Sequence, residues 1–205
     1  MLNVQVQDDV IARLVAAIEQ VRRVTSDRTP TGVLHDDADD VIGTIATDSA
    51  AGFDPLPLLR ALDHAGVRVV VIGQVAGILH GSTELTGDLD LLWDGDPSQA
   101  QGLTTVLAAV GARLLDDEGP IALHRDAFAL PKVRFESEAA SGDLCTPALP
   151  WGELDIHGFI DRALCARGAD GSLVHYLRRE DLIAMREVVG RPKDLRRADE
   201  LRRIR

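Results

Sequence analysis

Cysteine, lysine and aromatic residues are all scarce in this sequence of 205 residues. The two cysteines, Cys145 and Cys165, do not have the spacing of a metal site or a CxxC pair, which favours two free thiols in a cytoplasmic protein. Aromatic residues make up only 3%, so base stacking gives little support to nucleic-acid binding. Only two lysines, Lys132 and Lys193, accompany 20 arginines.

Long apolar runs are missing as well. No stretch approaches the roughly 18 uninterrupted apolar residues of a membrane-spanning helix. The first ten residues, MLNVQVQDDV, are acidic and lack the basic segment and apolar run of a secretory signal. We therefore expect a cytoplasmic protein with no membrane partner, and the apolar content of 45% is enough for a core.

A broadly basic surface is excluded by the net charge of −11, which disfavours non-specific binding to nucleic acid. The charge is uneven, because residues 151–205 carry 12 Lys and Arg against 10 Asp and Glu. A polyanion could meet this part alone, or the basic residues could simply form a solvated helix pair. The arginines that could line an RNA groove are Arg178, Arg179, Arg196, Arg197, Arg202 and Arg203.

Residues 1–50 are predicted to form an N-terminal helix and a polar linker, followed by one domain over residues 51–205. The helix is expected at 8–24 from its apolar spacing, and the polar stretch runs over 25–53 with a short helix near 39–46. The acidic cluster in the linker could bind a metal, but a solvated loop is the preferred interpretation. That cluster consists of Asp36, Asp37, Asp39 and Asp40.

The rest of the chain alternates between helical and strand patterns. Helices are predicted at 55–64, 75–80, 97–110, 179–189 and 192–204. Strands are predicted at 67–72, 88–93, 133–138 and 153–159. This order predicts an α+β fold, close to α/β, in which a mixed sheet with flanking helices is followed by a helical C-terminal segment.

Two acidic residues inside an apolar strand are the strongest candidates for chemistry. Side chains alternate along a strand, so Asp88 and Asp90 point to one face while Leu89 points to the other. Two such carboxylates repel each other unless a cation joins them, and Mg²⁺ or Mn²⁺ prefers oxygen ligands. The sequence therefore predicts a metal site on Asp88 and Asp90.

A phosphate site is predicted just before this pair. The strand at 67–72 ends at Gly73, and the short helix that follows would direct free N–H groups towards an anion. Ser82 and Thr86 add hydroxyl groups near the next strand. Lys193 could reach a phosphate from a helix start, although a solvated lysine is the ordinary alternative.

A third carboxylate usually completes a metal site of this kind. The candidate is Asp155 in the segment GELDIHG, where it lies in a run with the alternation of a strand. Glu153 is the fallback on the same face.

The segment IGQVAGILHGSTELTGDLDLLW at 72–93 resembles the signature of the DNA polymerase β-like nucleotidyltransferase superfamily, in particular its small stand-alone bacterial members. The segment VVGRPKDLRRADEL resembles their closing helices, so the resemblance covers about 55–205. It implies Mg²⁺-dependent transfer of a nucleoside monophosphate from an NTP to an unknown acceptor, which could be a small molecule, a protein or a tRNA. It also implies that Asp88, Asp90 and Asp155 bind metal and act in catalysis, and that Gly73 and Gln74 contact the triphosphate. Such relatives include toxins of toxin–antitoxin pairs and antibiotic-modifying enzymes.

Two alternatives remain open. Gln74 stands where the family usually has Gly or Ser, and Glu84 stands near a position that is often basic. These departures motivate a catalytically degenerate member that serves as a binding or regulatory protein. The N-terminal helix could instead form a dimer or dock a partner, and the sequence leaves the oligomeric state open.

Overall fold

The computed structural model describes residues 7–33, 43–116 and 118–204. Within these ranges the chain forms seven α-helices. They are α1 (Gln7–Thr25), α2 (Leu56–His64), α3 (Gly73–Leu79), α4 (Ala100–Ala109), α5 (Ile156–Asp161), α6 (Arg179–Val189) and α7 (Pro192–Arg203). No helix in the described part of the chain is both long enough and apolar enough to cross a membrane.

Eight strands in the described part of the chain form a single mixed sheet. They are β1 (Val69–Val71), β2 (Leu91–Trp93), β3 (Arg113–Asp116), β4 (Gly119–Ile121), β5 (Lys132–Glu136), β6 (Ser141–Cys145), β7 (Leu164–Arg167) and β8 (Leu173–Tyr176). Their order across the sheet is β4-β3-β5-β6-β2-β1-β8-β7. The pairs β1–β8 and β2–β6 are parallel, and the other neighbours are antiparallel. The predicted α+β class, with its mixed sheet, flanking helices and helical C-terminal segment, is confirmed.

The central strands are buried along their whole length. Val69, Val70 and Val71 of β1 are all buried, as are the three residues of β2, which fits strands covered on both faces. Trp93 packs edge-to-face against Phe128, with ring centroids 6.2 Å apart. The carboxyl end of β1 and the segment before β2 are therefore joined to fully buried strands.

Helix α1 shares this core. Leu14, Ile18 and Val21 are buried on one side of the helix, as its apolar spacing predicted, and α1 packs against α3 and β7. Arg13 donates a hydrogen bond from Nη1 to the carbonyl of Leu79 at 3.1 Å. The most apolar face of α1 is therefore covered by the chain itself.

The structure differs from the sequence-based predictions in three places. The strand predicted at 153–159 is wrong, because residues Ile156–Asp161 form α5. The strand predicted at 88–93 is shorter, since β2 begins at Leu91. The strands β3, β4, β6, β7 and β8 were not predicted. The acidic cluster at 36–40 lies outside the described residues, and of the short helix predicted at 39–46 the described part is a 3₁₀ turn over Gly43–Ala46.

Candidate active site

Backbone pairing places the segment 88–90 between the end of β1 and the start of β6. The amide of Ile72 donates to the carbonyl of Asp90 at 2.9 Å, and the amide of Leu89 donates to the carbonyl of Ser141 at 2.8 Å. Although residues 88–90 precede β2, their backbone is thus hydrogen-bonded on both sides and held within the sheet.

Glycine at position 73 is required by two independent constraints. Its φ of +61° is in the left-handed region, which a residue with a Cβ adopts only at a cost. A Cβ at this position would also lie 2.0 Å from Oδ2 of Asp90. The backbone of Gly73 therefore packs directly on the carboxylate of Asp90.

Replacing Gly73 with alanine should destabilise the protein more than the left-handed φ alone explains. We expect a loss of about 1–2 kcal/mol from φ and a further loss of about 1–3 kcal/mol from overpacking against Asp90, measured by urea unfolding. The matched control is Gly111→Ala, since Gly111 has a φ of +66° but nothing within 4 Å of its added Cβ. Equal losses in the two variants would contradict the close approach to Asp90.

Asp88 is buried, Asp90 beside it is half-buried, and the two side chains interact directly. Burial, the charges of Asp90 and Asp143, and a hydrogen bond to Asp90 together raise the pKa of Asp88 well above its usual value. Burial and the charge of Asp143 raise the pKa of Asp90 to about 6, which the hydrogen bond from Asp88 partly offsets. Both carboxyl groups therefore bind a proton more readily than isolated aspartates do, and Asp88 is the donor in the hydrogen bond between them.

The third acid beside this pair is Asp143, on β6. The parallel pairing of Leu91 with Leu144 places Asp143 next to Asp90 in the sheet, and its charge raises the pKa of both Asp88 and Asp90. Lys132 lies 3.6 Å and Arg134 3.8 Å from its carboxylate oxygens. Three carboxylates thus converge from two neighbouring segments.

Asp155 has a different place from the one expected for it. Its side chain accepts a hydrogen bond from the amide of Gly158 at 2.9 Å and caps the N-terminus of α5. Its role as the third acid depended on the strand at 153–159, which the structure replaces with this helix. Glu153 precedes the same helix, in a turn.

A cleft of about 480 Å³ opens beside the acids, a volume within the usual range for a small-molecule site. Asp90, Asp143 and Gly73 lie at its acidic end, where Lys132, Arg186, Arg191 and Arg197 add positive charge. Another wall is apolar and is formed by Leu149, Pro150, Trp151, Leu182, Met185, Val188 and Val189. The cleft thus offers carboxylates for a cation, cationic groups for phosphates and an apolar surface.

Arg186 of α6 connects the C-terminal helices to this site. It is buried and donates from Nη2 to the carbonyl of Gly73 at 3.0 Å and to Oε1 of Gln74 at 2.9 Å. Its Nη1 donates to the carbonyl of Arg197 at 3.0 Å. Burial and the charge of Arg197 lower the pKa of Arg186 to about 10, so the guanidinium stays charged at neutral pH.

The side chain of Gln74 takes part in this network and does not line the cleft. Its Nε2 donates to Oγ of Ser82 and to the carbonyl of Glu84, each at 2.9 Å. Glu84 in turn accepts hydrogen bonds from Nε and Nη2 of Arg197. Gln74 and Glu84 thus both form hydrogen bonds with arginines of the C-terminal helices.

The other residues predicted to bind nucleotide also lie away from the cleft lining. Ser82 hydrogen-bonds to the carboxylate of Glu200, and Thr86 to the hydroxyl of Thr44 at 2.7 Å. Lys193 is buried near the start of α7. Of the five residues predicted to contact nucleotide, only Gly73 is among the lining residues.

The donor set suits a hard divalent cation in composition, but Asp88 and Asp90 are hydrogen-bonded to each other. Among the residues that the structure describes, no three His, Cys, Asp or Glu side chains are arranged to hold a metal ion. A cation would have to replace this hydrogen bond between Asp88 and Asp90. The all-oxygen composition of Asp88, Asp90 and Asp143 fits Mg²⁺ or Mn²⁺ in chemistry.

The sequence-based predictions gave no site role to Asp143, Lys132, Arg186 or Arg191, and they named Arg197 only as a candidate for an RNA groove. One signal was present, because Gly142-Asp143-Leu144 repeats the tripeptide Gly87-Asp88-Leu89. Both glycines lie in close contact with another segment. A Cβ at Gly142 would lie 1.9 Å from the carbonyl oxygen of Leu89, and a Cβ at Gly87 would lie 2.4 Å from the Cβ of Ala50. No comparable local signal marks Arg186.

Comparison with known proteins identified no matching family model and no significantly similar curated protein.

Proposed function

We propose that this protein is a metal-dependent nucleotidyltransferase that moves a nucleoside monophosphate from an NTP to an acceptor. The observation that carries the proposal is that Asp90 and Asp143 lie at one end of a cleft with cationic and apolar walls, with the buried Asp88 hydrogen-bonded to Asp90. The likeness of residues 72–93 to the nucleotidyltransferase superfamily supports the same conclusion.

In this proposal Asp88, Asp90 and Asp143 hold Mg²⁺ or Mn²⁺, and Gly73 permits the backbone to approach Asp90. When bound, the metal would polarise the phosphate being transferred and neutralise the leaving pyrophosphate. Arg191 and Arg197 add positive charge for the phosphates, because guanidinium groups match phosphate oxygens.

The reaction forms a bond between the acceptor oxygen and the α-phosphorus and breaks the bond between that phosphorus and the bridging oxygen to the β-phosphate. Pyrophosphate leaves with the electrons of the broken bond. The acceptor hydroxyl loses its proton, and Asp143 is our candidate for the carboxylate that takes it. The acceptor stays open among a small molecule, a protein and a tRNA end.

The test is nucleotide binding and transfer by the full chain. Titration calorimetry with each NTP and Mg²⁺ should give a metal-dependent affinity, and α-labelled NTP should label an acceptor in a cell extract with release of pyrophosphate. Asp88→Asn should bind Mg²⁺–NTP more weakly and label nothing. The enzymatic proposal fails if wild type binds no NTP and labels no acceptor.

A binding or regulatory role without catalysis is the second candidate, and the hydrogen bond between Asp88 and Asp90 favours it. A non-catalytic protein has no need to exchange that hydrogen bond for a cation. In that case the double variant Asp88→Asn, Asp90→Asn should keep its ligand affinity in the presence of a chelator. Loss of affinity in that variant would count against this role.

A further inference from the structure

Two segments of the chain, helix α6 and a loop, contribute the apolar wall of the cleft. Leu182, Met185 and Val189 recur at helical spacing along α6, so they lie on one side of that helix. The second segment is the loop that contains Leu149, Pro150 and Trp151.

Trp151 is fixed in place within this loop. Its indole Nε1 donates a hydrogen bond to the carbonyl of Thr146 at 2.8 Å, and the side chain is mostly buried. The only donor of the indole is therefore committed to the protein, and the ring can offer a ligand only its apolar surface. Met185 is buried beside the same space and adds a polarisable surface that suits an aromatic ring.

The charged lining residues lie at the other end and have protein partners. Arg191 donates to Asp194 at 2.6 Å, and Arg197 is bonded to Glu84. The charges of both arginines lower the pKa of Asp90, which places them towards the acids.

Neutral hydrogen-bonding side chains are missing from the lining. Among the lining residues in the described part of the chain there is no Ser, Thr, Asn, Gln, Tyr or His. A site that selects one base usually bonds to its polar edge, and this wall has no side chain suited to that task.

Resting on the proposed function, we propose that the wall holds the nucleobase by stacking and shape alone, so that the cleft accepts NTPs with little discrimination between bases. Sites that bond to a polar group reject analogues by about 10⁴–10⁵-fold, whereas apolar pockets separate ligands by only about 10–200-fold. The four common NTPs should therefore differ by no more than about tenfold in affinity. Purines should bind slightly more tightly, because their rings cover more of the wall.

The experiment measures the affinities of ATP, GTP, CTP, UTP and inorganic tripolyphosphate for wild type with Mg²⁺ by calorimetry. We expect all four NTPs to bind within about tenfold of one another and at least about tenfold more tightly than tripolyphosphate. Met185→Ala should weaken all four by a similar factor. Val189→Ala serves as a second variant, since Val189 is 42% exposed at the cleft and its change should not unfold the chain.

Val24→Ala is the matched control, because Val24 is an exposed valine on α1. A preference of more than about 100-fold for one NTP, or tripolyphosphate binding as tightly as the NTPs, would overturn the inference while leaving the proposed function standing. If wild type binds none of the four NTPs, the proposed function and this inference fail together.

Discussion

Replacing Asp90 with asparagine should remove transfer activity and yet stabilise the metal-free protein above about pH 7. We expect activity to fall by about 10³-fold, or about 4 kcal/mol of barrier, because a charged metal ligand is lost. The gain in stability has a separate cause. Asp90 is half-buried beside Asp143, and its raised pKa means that ionisation in the folded state is less favourable than in the unfolded chain.

The sign of the pH dependence follows from this raised pKa. Between the ordinary value of 3.8 and about 6 the folded protein keeps a proton on Asp90 that the unfolded chain has lost. The free energy of unfolding therefore decreases as the pH rises through this window, by up to about 3 kcal/mol from this group. The asparagine side chain cannot ionise, so the variant should lack this decrease.

Urea unfolding of both proteins from about pH 4 to pH 8, without metal, measures the difference. Asp161→Asn is the control, since its side chain is 74% exposed and its ion pair with Arg68 should contribute at most about 1 kcal/mol. If the free energy of unfolding depends on pH in the same way for wild type and the Asp90 variant, the raised pKa of Asp90 is contradicted. Added Mg²⁺ should raise the stability of wild type more than that of the variant.

Replacing Arg186 with methionine should cause the largest loss of stability among the changes considered. It removes three donated hydrogen bonds and leaves the carbonyls of Gly73 and Arg197 and the amide oxygen of Gln74 without that donor. Each buried acceptor that loses its partner costs about 1–3 kcal/mol, so we expect a loss of about 3–5 kcal/mol. Because Gly73 packs on Asp90, nucleotide affinity should fall as well.

Arg202→Met is the matched control for this change. Arg202 also belongs to the C-terminal helices and forms ion pairs with Glu187 and Asp199, but its side chain is 45% exposed. Its replacement should change stability little, because solvent screens exposed ion pairs. Arg186→Lys should lie between wild type and Arg186→Met, because lysine keeps the charge without the planar fork. Similar unfolding curves for Arg186→Met and Arg202→Met would refute the anchoring role of Arg186.

The central part of the fold could be predicted because local pattern and tertiary environment agree there. A run of β-branched residues formed β1, Gly73 ended it, and alternation put Asp88 and Asp90 on one face. The strands that escaped prediction are short and carry small or polar residues. β6, for example, is SGDLC, whose weak β-propensity hides Asp143 although the sheet pairs it beside Asp90.

Asp155 shows how alternation can mislead. The segment GELDIHG has the polar–apolar alternation of a strand, but Asp155 is also a good N-cap and its carboxylate bonds to the amide three residues later. The capping interaction decided the local structure.

No local sequence pattern indicated the hydrogen bond between Gln74 and Arg186. The two residues are 112 positions apart, and their hydrogen bond exists only because α6 packs against α3. Sequence alone therefore left Gln74 as a candidate for contact with phosphate. In the structure its side chain is hydrogen-bonded to Ser82, Glu84 and Arg186. Gly73 lines the cleft, whereas Gln74 does not.

The most direct test of Asp143 as the third acid of the site compares Asp143→Asn with Asp155→Asn for Mg²⁺-dependent NTP binding. Both changes remove one carboxylate, and asparagine remains a good N-cap at position 155, so α5 should be preserved. The account predicts that Asp143→Asn weakens Mg²⁺-dependent binding by at least about 100-fold, or about 3 kcal/mol, whereas Asp155→Asn binds as wild type does. Metal-dependent binding that survives in Asp143→Asn but is lost in Asp155→Asn would contradict it.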